Sequence, residues 1–156
     1  MASHQLDELE RLHRPCGCAR LCGRYTRGGC AVTLPAHAAI CIDCDNCTAF
    51  GADQRKPDVI VLWPGSHGAR DRWLVVEMKA RGTDAGGITR QLQAGADAIT
   101  AHPLFDIGGQ PAEILPIVLH AKGFNTTAAD ALAANRIRFR GEPIPIVVKR
   151  CGFRLR

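Results

Sequence analysis

The stretch KPDVIVLWPGSHGARDRWLVVEMKARG, from Lys56 to Gly82, decides the fold of this chain. Its β-branched and aromatic residues at 57–63 and at 73–80 predict two strands. The intervening residues 64–72 are rich in Pro, Gly, Ser and Arg, which favours a turn. The stretch therefore predicts an antiparallel hairpin, and His67 in its loop is either a phosphate contact or simply a turn residue.

Both predicted strands carry charge at one edge, although burying charge costs free energy. Side chains alternate between faces along a strand, so Glu77 and Lys79 project from the same face. If the loop closes symmetrically, Asp58 lies opposite the end of the second strand and meets them. Two converging carboxylates repel each other unless a cation such as Mg²⁺, which prefers oxygen ligands, lies between them. The Met78 carbonyl is a further candidate ligand, and a metal-bound water beside Lys79 is suited to attack a phosphodiester.

This pattern resembles the PD-(D/E)xK nuclease superfamily, which includes restriction endonucleases, Holliday junction resolvases and RecB-type exonucleases. The matching residues are Pro57-Asp58, followed after eighteen residues by Glu77-Met78-Lys79. The resemblance implies that Asp58 and Glu77 bind Mg²⁺ or Mn²⁺ and that Lys79 assists the attacking water. It also implies a restriction-endonuclease-like core, in which a mixed sheet is flanked by helices.

A helix is predicted from Gly87 to about Ala101, where Ile88, Leu92, Gly95 and Ile99 fall on one face. The small residues Gly95 and Ala96 would allow close packing of this helix on a sheet.

In the resembled family, the helix after the lysine often carries a catalytic glutamine. Gln91 lies about 60° from the apolar stripe and Gln93 about 120°, so Gln91 is the better candidate. An acidic residue of the N-terminal helix often completes the metal site in that family, and Glu8 or Glu10 would supply it here.

Further elements follow from local patterns along the chain. Residues 5–13 predict a short amphipathic helix, and residues 14–51 predict an irregular, metal-braced segment. Residues 113–121 predict a buried strand, with Pro116 suggesting an edge position or an irregularity. The remaining predictions are a helix capped by Thr126 or Thr127 and ending at Ala134, two strands at 136–140 and 144–150, and an extension at 151–155. This order predicts an α/β fold with a mixed sheet.

Eight cysteines are a high count, and seven of them lie between Cys16 and Cys47. In a reducing compartment such a cluster indicates metal binding more than disulfides. Cys41, Cys44 and Cys47, each two residues from the next, predict three ligands of one ion. The fourth would be Cys151 or one of Cys16, Cys18, Cys22 and Cys30. A tetrahedral zinc site is the simplest account, and an iron–sulfur cluster is the alternative.

The net charge of +5 is unevenly distributed. One basic segment spans residues 11–30 and another spans residues 136–156. Such segments fit a polyanionic partner such as nucleic acid, with DNA as the expected one, or are ordinary solubility charge. The candidate phosphate-binding residues are Arg136, Arg138, Arg140, Lys149 and Arg150.

The leading hypothesis is a metal-dependent nuclease acting on DNA, with RNA as the second choice, as a homodimer or as a subunit of a larger defence or repair complex. The alternatives are a non-catalytic cysteine-metal module that binds nucleic acid or protein, and a thiol redox protein. Residues 1–51 would form the N-terminal helix and the cysteine-rich metal-binding segment, and residues 52–156 the nuclease core, in a single compact domain. No apolar run has the length of a membrane span, and the polar N-terminus does not resemble a secretory signal, so a cytoplasmic location is expected.

Overall fold

The computed structural model describes residues 2–34, 39–65, 70–79, 84–121 and 124–155, apart from the side chains at positions 2 and 3. The helices are α1 (Ala2–His13), α2 (Ala85–Ala101) and α3 (Thr126–Ala134), with short 3₁₀ helices at Cys44–Asn46 and Pro103–Phe105. The strands are β1 (Ala19–Leu21), β2 (Arg24–Arg27), β3 (Cys30–Thr33), β4 (Ile40–Asp43), β5 (Val59–Trp63), β6 (Arg72–Lys79), β7 (Glu113–His120), β8 (Arg136–Phe139), β9 (Glu142–Pro145), β10 (Val147–Arg150) and β11 (Phe153–Arg154). His67, the candidate phosphate contact of the hairpin loop, lies outside the described residues.

The main sheet has the strand order β1-β4-β5-β6-β7-β10. Strands β4, β5 and β6 run antiparallel to one another, whereas β7 runs parallel to β6 and β10 parallel to β7. A smaller sheet has the order β11-β3-β2, and β8 and β9 form a separate hairpin. The predicted α/β fold with a mixed sheet and helices is confirmed. Strands from the cysteine-rich segment and from the rest of the chain share the main sheet.

The two faces of β6 pack against different layers, as its alternating side chains predict. Trp73 and Val75 belong to a core that also contains Leu9 of α1, Leu92 of α2 and Leu132 of α3. The opposite face packs into a second core with the smaller sheet, through the side chains of Leu74, Val76, Met78, Val32 and Leu155. The helices therefore cover one face of the main sheet and the smaller sheet covers the other.

The prediction that residues 14–51 are irregular is wrong, because they contain β1, β2, β3 and β4. Each of these strands is only three or four residues long. A strand of that length completes too few alternations to give a periodic signal. Its pairing comes instead from distant partners, as when Cys41 of β4 lies opposite Val61 of β5.

Three smaller predictions also need correction. Pro116 lies in an interior strand rather than at an edge, opposite Val75 of β6. It is tolerated because β10 begins to pair only at Ile117. The cap of α3 is Asn125, whose side chain accepts a hydrogen bond from the N–H of Ala128. The predicted strand 144–150 is divided between two sheets, because the chain leaves the β8–β9 hairpin at Pro145 and joins the main sheet at Val147.

The predicted close packing of α2 on the sheet is confirmed at Gly95. A Cβ atom at this position would lie 2.6 Å from Val75 Cγ1 and 2.9 Å from Pro57 Cγ. Both distances are shorter than carbon atoms tolerate, so a hydrogen is the largest side chain that fits there. This contact fixes the distance between α2 and the strand that carries Glu77. None of the described helices is both long and apolar enough to cross a lipid bilayer.

Gly95→Ala is expected to lower the free energy of unfolding by about 1–3 kcal/mol, because the new methyl group overlaps Val75 and Pro57. Gly86→Ala in the same helix is the matched control, since its Cβ would meet nothing closer than 3.4 Å. This control is expected to be neutral or to stabilise by up to about 1 kcal/mol, as alanine favours helix. Urea denaturation of both variants checks the prediction, and equal stabilities would contradict it.

Candidate metal and nucleic-acid site

Asp58 and Glu77 lie opposite each other at one end of the central hairpin. The register pairs Val59 of β5 with Val76 of β6, which places the preceding Asp58 across from Glu77. The N–H of Asp58 donates to the carbonyl oxygen of Val76 at 3.1 Å and extends the ladder by one step. The two carboxyl groups are close enough for the charge of Asp58 to raise the pKa of Glu77.

The Asp58 carboxylate is held on both of its oxygens. Oδ2 accepts a hydrogen bond of 2.6 Å from the N–H of Met78, and Oδ1 lies 3.3 Å from Nε of Arg27. Burial raises the pKa of Asp58, while the Met78 N–H and the Arg27 charge oppose that shift. The side chain is thereby fixed in one orientation next to the end of β6.

Glu77 is the more buried carboxyl group, with only 2% of its surface exposed. Its Oε1 lies 3.1 Å from Nζ of Lys79 and accepts a hydrogen bond of 3.2 Å from Nε2 of Gln91. Its Oε2 is buried and has no hydrogen-bond partner among the described residues. Burial first, and then the Asp58 charge, raise the pKa of Glu77 to about 7, against the opposing effect of Lys79. A buried carboxylate oxygen without a protein partner is a position that a bound cation would satisfy.

The two glutamines of α2 have different partners. Gln91 reaches Glu77 and also donates to the carbonyl of Lys56 at 3.3 Å. Gln93 instead bonds both backbone groups of Arg138 in β8. Gln91 is therefore the glutamine that contacts the acidic pair, through Glu77.

The acidic residues of α1 do not join them. Glu8 forms an exposed ion pair with Arg11, and Glu10 is exposed. No hydrogen bond or ion pair connects either residue with Asp58 or Glu77 in the described parts of the chain.

Several charged neighbours of the carboxylates were missed by sequence reasoning. Arg27 of β2 contacts Asp45 and lies 4.0 Å from Asp43, in addition to its contact with Asp58. Nζ of Lys56 lies 3.9 Å from Asp45. The signal was present in the pattern Asp-Cys-Asp at 43–45, directly after a strand, but there the cysteines drew the interpretation. Arg27 gave no local signal, because it approaches from the smaller sheet.

The expected metal site of Cys41, Cys44, Cys47 and Cys151 is not assembled. Cys41 forms a disulfide with Cys22, and Cys151 forms one with Cys30. The expectation of metal binding rather than disulfides was therefore wrong for these two cysteines, because each has a nearer partner than the Cys44–Cys47 turn. A third disulfide joins Cys16 and Cys18. Disulfides are rarer in the cytosol than outside it, and the cytoplasmic location stays a prediction.

A different group could hold a metal ion. One ligand atom each from His13, Cys18 and Cys47 lies within 4.8 Å of the others, and all three residues are buried. His13 is the last residue of α1, and its Nδ1 lies 3.0 Å from the carbonyl oxygen of Leu9. Burial lowers the pKa of His13, which favours the neutral ring that binds metals. His13 was not predicted as a metal ligand, because the histidines of the chain are scattered along the sequence.

The free thiols Cys44 and Cys47 are not set up for redox catalysis. Burial raises the pKa of Cys44 well above its usual value, with further contributions from Cys47, Asp43 and Asp58. Burial also raises the pKa of Cys47. Because the thiolate is the reactive form, both thiols are poor nucleophiles near neutral pH. The Asp45 charge also contributes to raising the pKa of Cys44.

The five basic candidates lie on two strands and in one turn. In β8 the apolar Ile137 and Phe139 are buried, whereas Arg136 and Arg138 project to solvent. Arg140 follows in the turn, over the Phe139 ring and bonded to Gln110. Lys149 and Arg150 are exposed on β10, where Arg150 lies opposite His120 and His120 lies opposite Lys79. Arg150 is thus in the same row of the sheet as Lys79.

Comparisons of the chain with protein-family models, with curated proteins and with solved structures find no match in any of the three.

Replacing Glu77 by glutamine is expected to increase the free energy of unfolding at about pH 8 by on the order of 3 kcal/mol. The Glu77 pKa is 4.5 unfolded and about 7 folded. Between these values the native state binds more protons, so stability falls as pH rises. Glutamine does not ionise and lacks this loss, so the variant gains little below about pH 4.5.

Urea denaturation across this pH range, without added divalent ions, measures the difference. Glu113→Gln is the control, because Glu113 is exposed at the other end of the sheet. It is expected to change stability by less than about 0.5 kcal/mol at any pH. A Glu77→Gln effect that does not vary with pH would contradict the assignment.

Proposed function

We propose that this chain is a divalent-metal-dependent nuclease that hydrolyses phosphodiester bonds in DNA. The observation that carries the proposal is the pairing of Asp58 and Glu77 across two strands, with Lys79 Nζ 3.1 Å from Glu77 Oε1. The order of β4, β5, β6, α2 and β7, with β7 parallel to β6, supports the restriction-endonuclease-like core of the resembled superfamily.

The donor set fits Mg²⁺ or Mn²⁺. It consists of hard oxygen atoms, which these cations prefer over nitrogen and sulfur. Asp58, Glu77 and the carbonyl of Met78 would hold the ion, and the free Oε2 of Glu77 is a buried lone-pair site that a cation would satisfy. The bound ion would stabilise charge on the scissile phosphate and lower the pKa of a bound water.

The protein groups around this pair have separable tasks. The Met78 N–H and Arg27 fix the Asp58 carboxylate in one orientation. Gln91 does the same for Glu77. Lys79, whose side chain is 29% exposed, has its ammonium at the opening of the site. There it orients the attacking water and balances the negative charge of substrate and carboxylates.

The exposed arginines of the β8 strand and turn supply contacts to a nucleic-acid backbone. Arg136 and Arg138 stand two residues apart on the same side of β8, and Arg150 extends the positive charge toward Lys79. Contacts of this kind bind phosphates without reading sequence. The proposed enzyme therefore acts nonspecifically or on a DNA structure, as a homodimer or within a larger defence or repair complex.

The second candidate function is a non-catalytic metal-binding module that binds nucleic acid or protein. The group of His13, Cys18 and Cys47 favours it, because a metal there would brace the N-terminal part of the chain. In that case the basic surface would still bind DNA. Asp58 and Glu77 would then not contribute to DNA cleavage, and a cleavage assay therefore distinguishes the two candidate functions.

Asp58→Asn, Glu77→Gln and Lys79→Met are each expected to slow cleavage of plasmid DNA in Mg²⁺ or Mn²⁺ by about 100-fold or more. Gln91→Ala is expected to slow it less, since Gln91 orients Glu77. The matched control is Glu10→Gln on α1, an exposed carboxyl group on a different element, which is expected to cleave at the rate of the wild type. Gel electrophoresis of the products measures the rates.

Two outcomes decide against the nuclease. If Asp58→Asn, Glu77→Gln and Lys79→Met all degrade plasmid DNA as fast as the wild type, the activity comes from a contaminating nuclease. Calorimetry that detects no uptake of Mg²⁺ or Mn²⁺ by the wild type would remove the proposed metal. Loss of folding does not explain inactivity of Glu77→Gln, because this variant is expected to be more stable than the wild type near neutral pH.

The double variant Arg136→Gln/Arg138→Gln is expected to weaken DNA binding about equally for different sequences. It should reduce the slope of log K against log salt concentration by about 2, one for each lost phosphate contact. Arg70→Gln is the control, because Arg70 is exposed near the opposite end of β6 and pairs with Glu113. Fluorescence anisotropy over a salt series measures both quantities, and an unchanged slope in the double variant would exclude β8 from the interface.

A further inference from the structure

The strongest unassigned cluster among the described residues lies where the end of α1 meets the start of β1 and the 3₁₀ helix Cys44–Asn46. His13, Cys18 and Cys47 come together there from three separate places in the sequence. We propose that these three residues and Cys16 form a tetrahedral zinc site in the reduced protein. The donors are one imidazole nitrogen and three sulfurs, a ligand set typical of structural zinc.

His13 provides the clearest sign of a missing partner. Its side chain has no solvent exposure, and its Nε2 atom has no hydrogen-bond partner among the described residues. Nδ1 lies 3.0 Å from the carbonyl oxygen of Leu9, so the proton belongs on Nδ1 and the lone pair on Nε2. Histidines that ligate metals usually donate their other N–H to a carboxylate or a backbone carbonyl in this way. An unpaired buried nitrogen costs free energy that a metal bond would recover.

Cys16 completes the set. Its sulfur is bonded to the Cys18 sulfur, so it is adjacent to the three-residue group. Cys16 also lies beside His13, since Cys16 Sγ contacts the carbonyl oxygen of His13 at 3.2 Å. The four ligands then follow the spacing His-x₂-Cys-x-Cys with a distant fourth member, Cys47. The ligand atoms of His13, Cys18 and Cys47 lie within 4.8 Å of one another, and tetrahedral zinc would hold them about 3.5–3.8 Å apart.

Cys44 is excluded from the set although it is close in sequence. Its sulfur points to the carbonyl oxygen of Ile42 at 3.7 Å, and it is not among the atoms that converge with His13. This distinction separates the proposed site from a Cys-x₂-Cys knuckle. It also provides a control variant with nearly the same burial and sequence position.

An entry path reaches the two outer ligands. A polar cavity of about 440 Å³ is lined by Cys16 and Cys18 together with Arg20, Arg27 and Asp43. A metal ion and its leaving waters can pass through it to an otherwise buried position. The soft sulfur and nitrogen donors select zinc over Mg²⁺, whose oxygen ligands are at the acidic pair instead.

The site requires the Cys16–Cys18 disulfide to be open. A phosphine reductant achieves this with water as co-reactant: the disulfide gains two electrons and two protons, and the phosphine becomes a phosphine oxide. Each thiol then loses its proton as its sulfur binds zinc. Oxidation of the pair would break two zinc–sulfur bonds, so zinc occupancy is expected to follow the redox state of Cys16 and Cys18.

The full-length protein, purified with a phosphine reductant, tests the proposal through its metal content. Elemental analysis is expected to give about one zinc per chain, and titration with Co²⁺ is expected to give the intense visible bands of a tetrahedral thiolate site. Cys47→Ser and His13→Ala should each weaken zinc binding by at least about 100-fold, whereas Cys44→Ser should bind as the wild type does. Added zinc should raise the melting temperature of the reduced wild type.

Four results would overturn the zinc site. These are a reduced wild type that takes up neither zinc nor tetrahedral Co²⁺, equal zinc loss in Cys44→Ser and Cys47→Ser, unchanged binding after Cys16→Ser, and an iron–sulfur absorption band after anaerobic purification. Cys16→Ser changes a partly exposed residue, and the Co²⁺ titration needs no variant, so a misfolded Cys47→Ser protein does not block the test. DNA cleavage is not used as the readout, so failure here does not bear on the nuclease proposal.

Discussion

The site depends on one hydrogen bond, in which the N–H of Met78 donates to the Asp58 carboxylate at 2.6 Å. This N–H belongs to the residue of β6 that follows Glu77. If β5 began earlier in the chain, one of its backbone carbonyl groups would accept this hydrogen bond. Asp58 takes over that role with its side chain, so its charge is fixed directly across from Glu77. A shift of the hairpin by one residue would turn Glu77 to the opposite face and separate the pair.

Two carboxylates on neighbouring strands, Glu77 buried and Asp58 half-buried, need compensating charge, and the fold brings it from both layers. Lys79 comes from the same strand as Glu77, whereas Arg27 comes from the smaller sheet on the other face. Burial works against the Arg27 charge, but pairing with Asp45 and Asp58 outweighs it and raises the Arg27 pKa. The smaller sheet therefore contributes to the electrostatics of the site as well as covering apolar surface.

The parts of this fold that could be predicted from sequence are those with a strong local pattern. The β-branched runs of β5 and β6 and the apolar stripe of α2 each bury enough side chains to determine their element. The small residue Gly95 on the apolar face of α2 predicted the helix–sheet contact, because a small side chain allows close packing. Arg27, the short strands before Cys44 and the partners of Cys41 and Cys151 depend on contacts between distant residues, for which one sequence gives no local signal. Likewise, the cysteine spacing predicted Cys47 as a ligand, which belongs to the group that could hold a metal, but also Cys41 and Cys151, which form disulfides.

The acidic pair and the His13 cluster meet at the short 3₁₀ helix Cys44–Asn46. At its start, the N–H of Cys44 donates to the Asp58 carbonyl at 3.1 Å, and just past its end stands Cys47. Asp43 is the last residue of β4. It caps this helix and also pairs with Arg27. A metal bound at Cys47 would therefore restrain the backbone segment on which Asp58 rests, without touching the carboxylates. The cysteine-rich part of the chain then acts as the support that keeps the two carboxylates in register, because three residues of helix are too few to hold their position alone.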